Sequence, residues 1–109
     1  MGMEDNLNSQ ETNEVTREQV IESIVANPEN IELLRQFIDQ LQTKVEREDF
    51  DDLGFNRTLA ELYEEASRQN PHWRESASDS FYDAAIIANQ WGDAVVRDEL
   101  LAKHRELAQ

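Results

Sequence analysis

Apolar residues recur along one stretch of this chain at the spacing of a single helix face. They stand at positions 31, 34, 38, 41 and 45, with two more at 33 and 37. A period of about 3.6 residues is typical of a helix with one buried side. No segment of comparable length alternates apolar and polar residues as a half-buried strand would. The pattern therefore predicts an all-α fold.

Capping signals divide the first half of the chain. Thr16 and Gln19 have the spacing of a capping box, which predicts that the first helix begins there. Asn27-Pro28-Glu29 offers an N-cap, a preorganised proline and an early acid, so a second helix is expected from this point to about Arg47. A loop is predicted over 49–56, in which Gly54 can take a left-handed conformation.

Three more helices are predicted in the second half. One begins near Thr58 and stops before Pro71, because the residue before a proline avoids the helical region. The next carries Phe81 and Trp91 on its buried face, and the last follows an Asp93 cap. We thus expect a compact bundle of about five short helices over residues 15–109, whose short loops favour antiparallel neighbours. The predicted core residues are Leu34, Phe37, Ile38, Leu41, Leu62, Phe81, Ala85 and Trp91.

Charge is the strongest functional lead. The chain has 24 acids and ten bases, a formal net charge of -14. Residues 1–14 carry four acids, no base and no apolar period, and are predicted to be a disordered acidic tail. The stretch 46–65 carries eight acids against Arg47 and Arg57. Those acids, which we predict to be partner-binding, are Glu46, Glu48, Asp49, Asp51, Asp52, Glu61, Glu64 and Glu65.

A field of that sign excludes some partners and favours others. It repels nucleic acid and anionic membranes, and it attracts basic protein surfaces. Trp73 and Arg74 stand together in a loop-like context, and exposed Trp and Arg are typical interface anchors. The two residues are therefore added to the predicted partner-binding set.

The segment from Asp49 to Gly54 partly matches a calcium-binding EF-hand loop. It has Asp at loop positions 1 and 3 and Gly at position 6. Leu53 at position 5 and Ala60 at position 12 supply no side-chain oxygen. We therefore predict no metal site here.

The run from Asp52 to Arg57, Asp-Leu-Gly-Phe-Asn-Arg, resembles the Asp-Leu-Gly-x-Asp-Ser signature of acyl carrier proteins. That resemblance implies a small acidic helical carrier with a phosphopantetheine arm on the signature serine. Arg57 stands at the attachment position, and the nearest hydroxyl, that of Thr58, is displaced by one residue. No cofactor is therefore predicted.

No complete catalytic motif is present. His72 and His104 lack the Glu-x-x-His pattern of di-iron sites. The serines at 76, 78 and 80 have no evident base beside them in the sequence. The chain has no cysteine and no run of about 20 apolar residues. Its first residues have neither a basic nor an apolar stretch, so we expect no secretory signal. We expect a cytoplasmic protein that is not an enzyme.

Three functional classes follow. The favoured one is a small regulatory or inhibitory module that binds a basic surface of a partner protein. The first alternative is a nucleic-acid mimic that blocks a DNA- or RNA-binding protein, like the phage anti-restriction and anti-CRISPR proteins that it resembles in size and acidity. Duplex DNA carries one charge per about 1.7 Å, so a mimic needs many carboxylates on one surface. The second alternative is a metal-ion-binding or carrier protein.

Overall fold

Five α-helices and a short 3₁₀ helix make up most of residues 14–109, the part of the chain that the computed structural model describes. They are α1 Arg17–Ala26, α2 Glu32–Glu46, α3 Asp52–Gln69, the 3₁₀ helix Pro71–Trp73, α4 Arg74–Gln90 and α5 Ala94–Ala108. No strand occurs within these residues. The predicted all-α fold with five helices is confirmed. The predicted acidic tail lies outside the described residues, apart from Glu14.

The start of α1 is as predicted. The Gln19 amide donates to Thr16 Oγ1 at 3.2 Å, and the Thr16 amide donates to Gln19 Oε1 at 3.0 Å, which completes the capping box. Just before it, Val15 is buried and exchanges two hydrogen bonds with the Gln40 amide, at 2.6 and 3.0 Å. This pair fixes the entrance of α1 against α2.

The predicted start of α2 is wrong. The Asn27 amide still bonds to the carbonyl of Ser23, so Asn27 closes α1 instead of opening α2. Its side-chain oxygen accepts from the Glu29 amide at 3.2 Å, which forms a turn around Pro28. That turn is needed to reverse the chain, and α2 begins only at Glu32. The predicted end near Arg47 is confirmed.

The predicted loop over 49–56 is largely helical. Asp51 is the N-cap of α3, and its carboxylate accepts from the Gly54 amide at 2.6 Å. Gly54 therefore lies in the first helical turn, and the left-handed residue is Glu48, with φ 66°. A Cβ on Gly54 would stand 2.9 Å from Cε1 of Phe50. Glycine is needed here for the close approach of that ring, not for a left-handed turn.

Helices α4 and α5 run antiparallel. Contacts pair Arg74 with Leu107, Ser78 with His104 and Asn89 with Arg97, so residue numbers fall on one helix as they rise on the other. Helix α4 also packs along α3, and α1 and α2 pack against each other and against α3. None of the described helices is long and apolar enough to cross a membrane.

The core has two parts that meet along α3. The first is built by α1, α2, α3 and the 3₁₀ helix and contains Val15, Val20, Ile21, Ile24, Leu34, Phe37, Leu41, Leu62, Ala66 and Trp73. The second is built by α3, α4 and α5 and contains Ala60, Phe81, Ala84, Ala85, Ala88 and Leu100. Small alanines dominate the second part, which allows α4 to approach its neighbours closely.

Six of the eight predicted core residues are buried. Ile38 is half-buried against the first part of the core. Trp91 was misassigned, because it is 54% exposed. It lies one residue past the end of α4, where the chain turns through Gly92 (φ 78°) towards α5. The apolar period of α4 extends to Trp91 in the sequence. Because α4 itself ends at Gln90, the Trp91 ring no longer follows the buried face of the helix.

Candidate functional site

The eight predicted partner-binding acids fall into two groups. Five of them lie at the connection between α2 and α3, and all five are exposed; they are Glu46, Glu48, Asp49, Asp51 and Asp52, here called the acidic corner. The other three lie farther along α3. With a rise of 1.5 Å per residue, Asp52 and Glu61 are about 13 Å apart along the helix axis. The two groups are therefore separate places on the surface.

The acidic corner is built on a Schellman turn. The Glu48 amide donates to Val45 O at 3.0 Å and the Asp49 amide donates to Lys44 O at 3.1 Å, the two bonds that define this helix end. The motif places Glu48 at the left-handed position, where glycine is the usual residue. Glu48 thus has a backbone conformation that costs free energy for any residue other than glycine.

Local interactions explain only part of this cluster. The Arg47 guanidinium pairs with Asp49 at 3.1 Å, but both side chains are more than half exposed, so the pair contributes little to stability. Asp51 caps α3, and Asp52 in the first turn complements the positive end of the helix. No ion pair with a base is formed by the other four acids of the corner within the described residues.

Two adjoining depressions lie among these acids, with volumes of about 450 and 320 Å³. Val45 lines both of them, Phe50 lines the first and Phe55 lines the second, and all three side chains are half-buried. Acids of the corner line the same depressions, and Asp52 borders both. An apolar floor with an acidic rim suits lysine or arginine, whose stems are apolar and whose heads are cationic.

The other three acids, Glu61, Glu64 and Glu65, border a groove between α3 and α5 of about 530 Å³, here called the mixed-charge groove. Bases from three helices also line it; they are Arg17, Arg57, Arg68 and Lys103. Glu64 lies 2.7 Å from Lys103 and 3.6 Å from Arg68, and only 14% of its side chain is exposed. Glu61 lies 3.9 Å from Arg17. This part of the predicted acidic surface is largely paired with bases.

Trp73 does not lie on the surface. It is 6% exposed, its ring stacks on Tyr63 at 5.6 Å, and its Nε1 donates to the carbonyl of Ile24 at 3.0 Å. Partial burial of Tyr63 raises the pKa of its hydroxyl group above the ordinary value. The expected exposed anchor is therefore wrong. The missed signal is that Trp73 starts the buried stripe of α4, four residues before Ala77.

Arg74 is exposed, as predicted, but its guanidinium is engaged within the chain. Its Nε donates to Leu107 O at 2.8 Å and its Nη2 donates to Glu106 O at 3.3 Å. These carbonyls belong to the last turn of α5, where the helix has no partners of its own for them. Arg74 therefore holds the end of α5 against α4, and its predicted role in partner binding stays a prediction.

The structure brings Ser78 next to His104, a pairing that the sequence did not reveal. Ser78 Oγ is 2.9 Å from His104 Nδ1, and the same nitrogen is 3.0 Å from the carbonyl oxygen of Ser78. A carbonyl can only accept, so the contact with the Ser78 carbonyl is a hydrogen bond in the tautomer that has a proton on Nδ1, and in that tautomer Nδ1 cannot remove a proton from the hydroxyl. Ser78 Oγ in turn donates to His104 O at 3.2 Å. These reciprocal bonds join α4 to α5 and do not make a nucleophile.

The EF-hand resemblance does not extend to the structure. Only residues 47–51 separate α2 from α3, and the chain is helical from Asp52 onwards. A twelve-residue loop starting at Asp49 is therefore absent. Within the described residues, no group of three or more His, Cys, Asp or Glu side chains could hold a metal ion.

No family model, no curated protein and no solved structure matches this chain. Functional inference therefore rests on its own residues. The acidic corner combines exposed carboxylates, a half-buried apolar floor and an acid at a left-handed position. It is the candidate functional site.

Proposed function

We propose that this protein is a small non-enzymatic binding module, regulatory or inhibitory, that binds a basic surface of a partner protein through the acidic corner. The observation that carries this proposal is the set of five exposed carboxylates around the half-buried Val45, Phe50 and Phe55. We place this activity in the cytoplasm, which is compatible with a chain that has no cysteine.

Electrostatics favours a cationic partner at this position. Five carboxylates within the seven residues 46–52, against the single base Arg47, repel one another, and added salt screens this repulsion. A lysine or arginine from a partner relieves that repulsion while its stem covers the apolar floor. Association should therefore be fast at low salt and should weaken as salt is added.

Backbone conformation gives the proposal independent support. Residues held in sparsely populated conformations cluster at functional sites, where the surrounding fold maintains them. Glu48 holds such a conformation, although glycine would fit the turn better. A carboxylate at this point is consistent with selection for charge rather than for stability.

Mimicry of nucleic acid remains the alternative interpretation of the charge. A mimic needs a long row of unpaired carboxylates. The ion pairs of Glu61 and Glu64 with Arg17, Lys103 and Arg68 interrupt such a row along α3. The geometry thus favours a local cation-binding site over an extended imitation of a phosphate backbone.

The proposal is tested by neutralising the acidic corner and measuring binding. All five acids are changed to the matching amides, and Asp51→Asn keeps a capping side chain on α3. The matched control changes five exposed acids of α1, α2 and the turn between them; they are Glu18, Glu22, Glu29, Glu32 and Asp39. Both variants lose the same charge, so they differ only in where it is lost.

Partners are captured from an extract of the source cells with the parent protein at low and high salt, and the captured protein is purified and titrated. We expect the corner variant to bind it at least about tenfold more weakly, a change of about 1.4 kcal/mol. The control variant should stay within about threefold of the parent. Equal affinities for all three proteins would contradict the proposal. Competition by duplex DNA for the same partner surface would favour the mimic.

A further inference from the structure

An apolar strip on α4 is only partly covered by the neighbouring helix α5, whose His104 ring lies 5.1 Å from the ring of Tyr82. Tyr82 and Ile86 are one turn apart on the same face, and they are 45% and 41% exposed. Together with α5 they border a groove of about 380 Å³. From α5, Leu101 contributes a half-buried apolar side chain to the same groove. We call this surface the α4–α5 groove.

The groove itself is lined by one base, Arg97, and one acid, Asp98, and further acids lie beside it on α4. Glu75, Asp79 and Asp83 are exposed and spaced by four residues, so they form a row on α4 beside Tyr82 and Ile86. Beyond Arg74, at its first position, α4 contains no base.

On the α5 side, Arg97 lines the groove but is engaged internally. Its Nε lies 3.0 Å from an oxygen of Asp98, and its Nη1 donates to Asn89 at 2.9 Å. The remaining base on this side of α5 is the exposed Arg105, one turn beyond Leu101. The apolar strip thus lies beside a row of acids that these two bases compensate only in part.

We propose that the α4–α5 groove binds an amphipathic, basic helix of a partner protein. Apolar residues of that helix, spaced by three or four positions, would contact Tyr82, Ile86 and Leu101, which is the usual mode of helix recognition in a groove. Its lysines or arginines would face Asp79 and Asp83. The groove extends along α4 from Tyr82 to Asn89, about 10 Å, so it accommodates about two turns of helix.

Charge complementarity selects this occupant over the others. A second copy of the chain would bring the same acids to the groove and a net charge of -14, and the two copies would repel each other. Nucleic acid and anionic membranes are repelled for the same reason. The α4–α5 groove is separate from the acidic corner, and neither proposal requires the other.

The experiment titrates the full chain with a synthetic 16-residue peptide that has leucines at helical spacing on one face and lysines on the flanks. Two control peptides have the same length: one has a scrambled order and one carries glutamates in place of the lysines. Anisotropy of the labelled peptide gives the affinity, and amide chemical shifts locate the contact. We expect saturable binding of the first peptide, with the largest shifts at Tyr82, Ile86, Asn89 and Leu101.

Two variants test the apolar contact. Ile86→Ser should weaken binding at least about tenfold. The matched control is Val95→Ser, which removes an apolar side chain that is 70% exposed and lies outside the groove. It should change the affinity by less than about twofold. Because both residues are on the surface, both variants should fold, which circular dichroism checks.

A third variant tests the charged contact. Asp79→Asn combined with Asp83→Asn should weaken peptide binding and reduce its salt dependence.

Several results would overturn the inference. Shifts confined to the acidic corner would do so while supporting the proposed function. Equal binding of the scrambled peptide, no binding of any peptide, or an unchanged affinity of Ile86→Ser would overturn it as well. A self-association in analytical ultracentrifugation that Ile86→Ser abolishes would assign the groove to a second copy instead.

Discussion

The acidic corner and the mixed-charge groove carry carboxylates of the same kind, yet their surroundings differ. In the groove, Glu64 contacts Lys103 from α5 and Arg68 from its own helix, and its side chain is mostly buried. At the corner, Asp49 has a local ion pair with Arg47, and the remaining carboxylates face solvent. A count of acids along a sequence therefore does not tell which of them are available to a partner.

The apolar residues beneath the two regions also differ in how accessible they are. Phe81 borders the mixed-charge groove but is 3% exposed and belongs to the core between α3, α4 and α5. Phe55 borders the acidic corner and is only half-buried. The groove thus closes over a core residue, whereas the corner keeps part of its apolar floor accessible.

The largest difference in stability between the two regions is expected when the phenylalanine beneath each one is truncated. Phe81→Ala should lower the free energy of unfolding by about 3–5 kcal/mol, because it leaves a cavity under the groove. Phe55→Ala should cost about 1–2 kcal/mol, since its ring is already partly in water. Chemical denaturation followed by circular dichroism measures both. Equal losses would show that the corner floor is as much a part of the core as the groove floor.

The sequence predicted the helices better than their junctions. The Thr16 capping box and the stop before Pro71 depend on residues close in the chain, and both were confirmed. The junctions at Asn27 and at Asp51 were misplaced. Asn can end one helix as well as begin the next, and an Asp–Gly pair three residues apart fits a helix start as well as a loop.

The two regions differ most in what no local pattern reveals. Two of the three bases that pair with Glu61 and Glu64 are Arg17 and Lys103, which are about 40 residues away in the sequence on either side; the third, Arg68, is one turn along the same helix. Trp73 and Trp91 show the same limit in the core. Both stand on the extended apolar stripe of α4, but Trp73 is buried beside Tyr63 and Ile24, whereas Trp91 lies past the end of the helix and is exposed.

Neutralising one carboxylate in each region should change the free energy of unfolding by different amounts. Glu64→Gln leaves the ammonium group of Lys103 without its carboxylate at a partly buried position, and should lower the free energy of unfolding by about 1 kcal/mol. Glu46→Gln removes an exposed, unpaired acid from a repulsive cluster and should be neutral or slightly stabilising. Denaturation midpoints at low salt compare the two. A loss at Glu46 as large as that at Glu64 would mean that the corner is held by interactions of its own.

A small effect is also expected at Glu48, where it tests whether the corner retains a carboxylate at the expense of stability. The left-handed conformation costs a residue other than glycine about 1 kcal/mol, and the greater freedom of glycine in the unfolded chain offsets part of the gain. Glu48→Gly should therefore raise the free energy of unfolding by about 0.5 kcal/mol. Glu48→Ala is the control, because it removes the same charge while keeping the backbone penalty. If both variants were stabilised equally, charge repulsion would explain the gain; if only the glycine variant were stabilised while partner binding weakened in both, the carboxylate at this turn would serve binding.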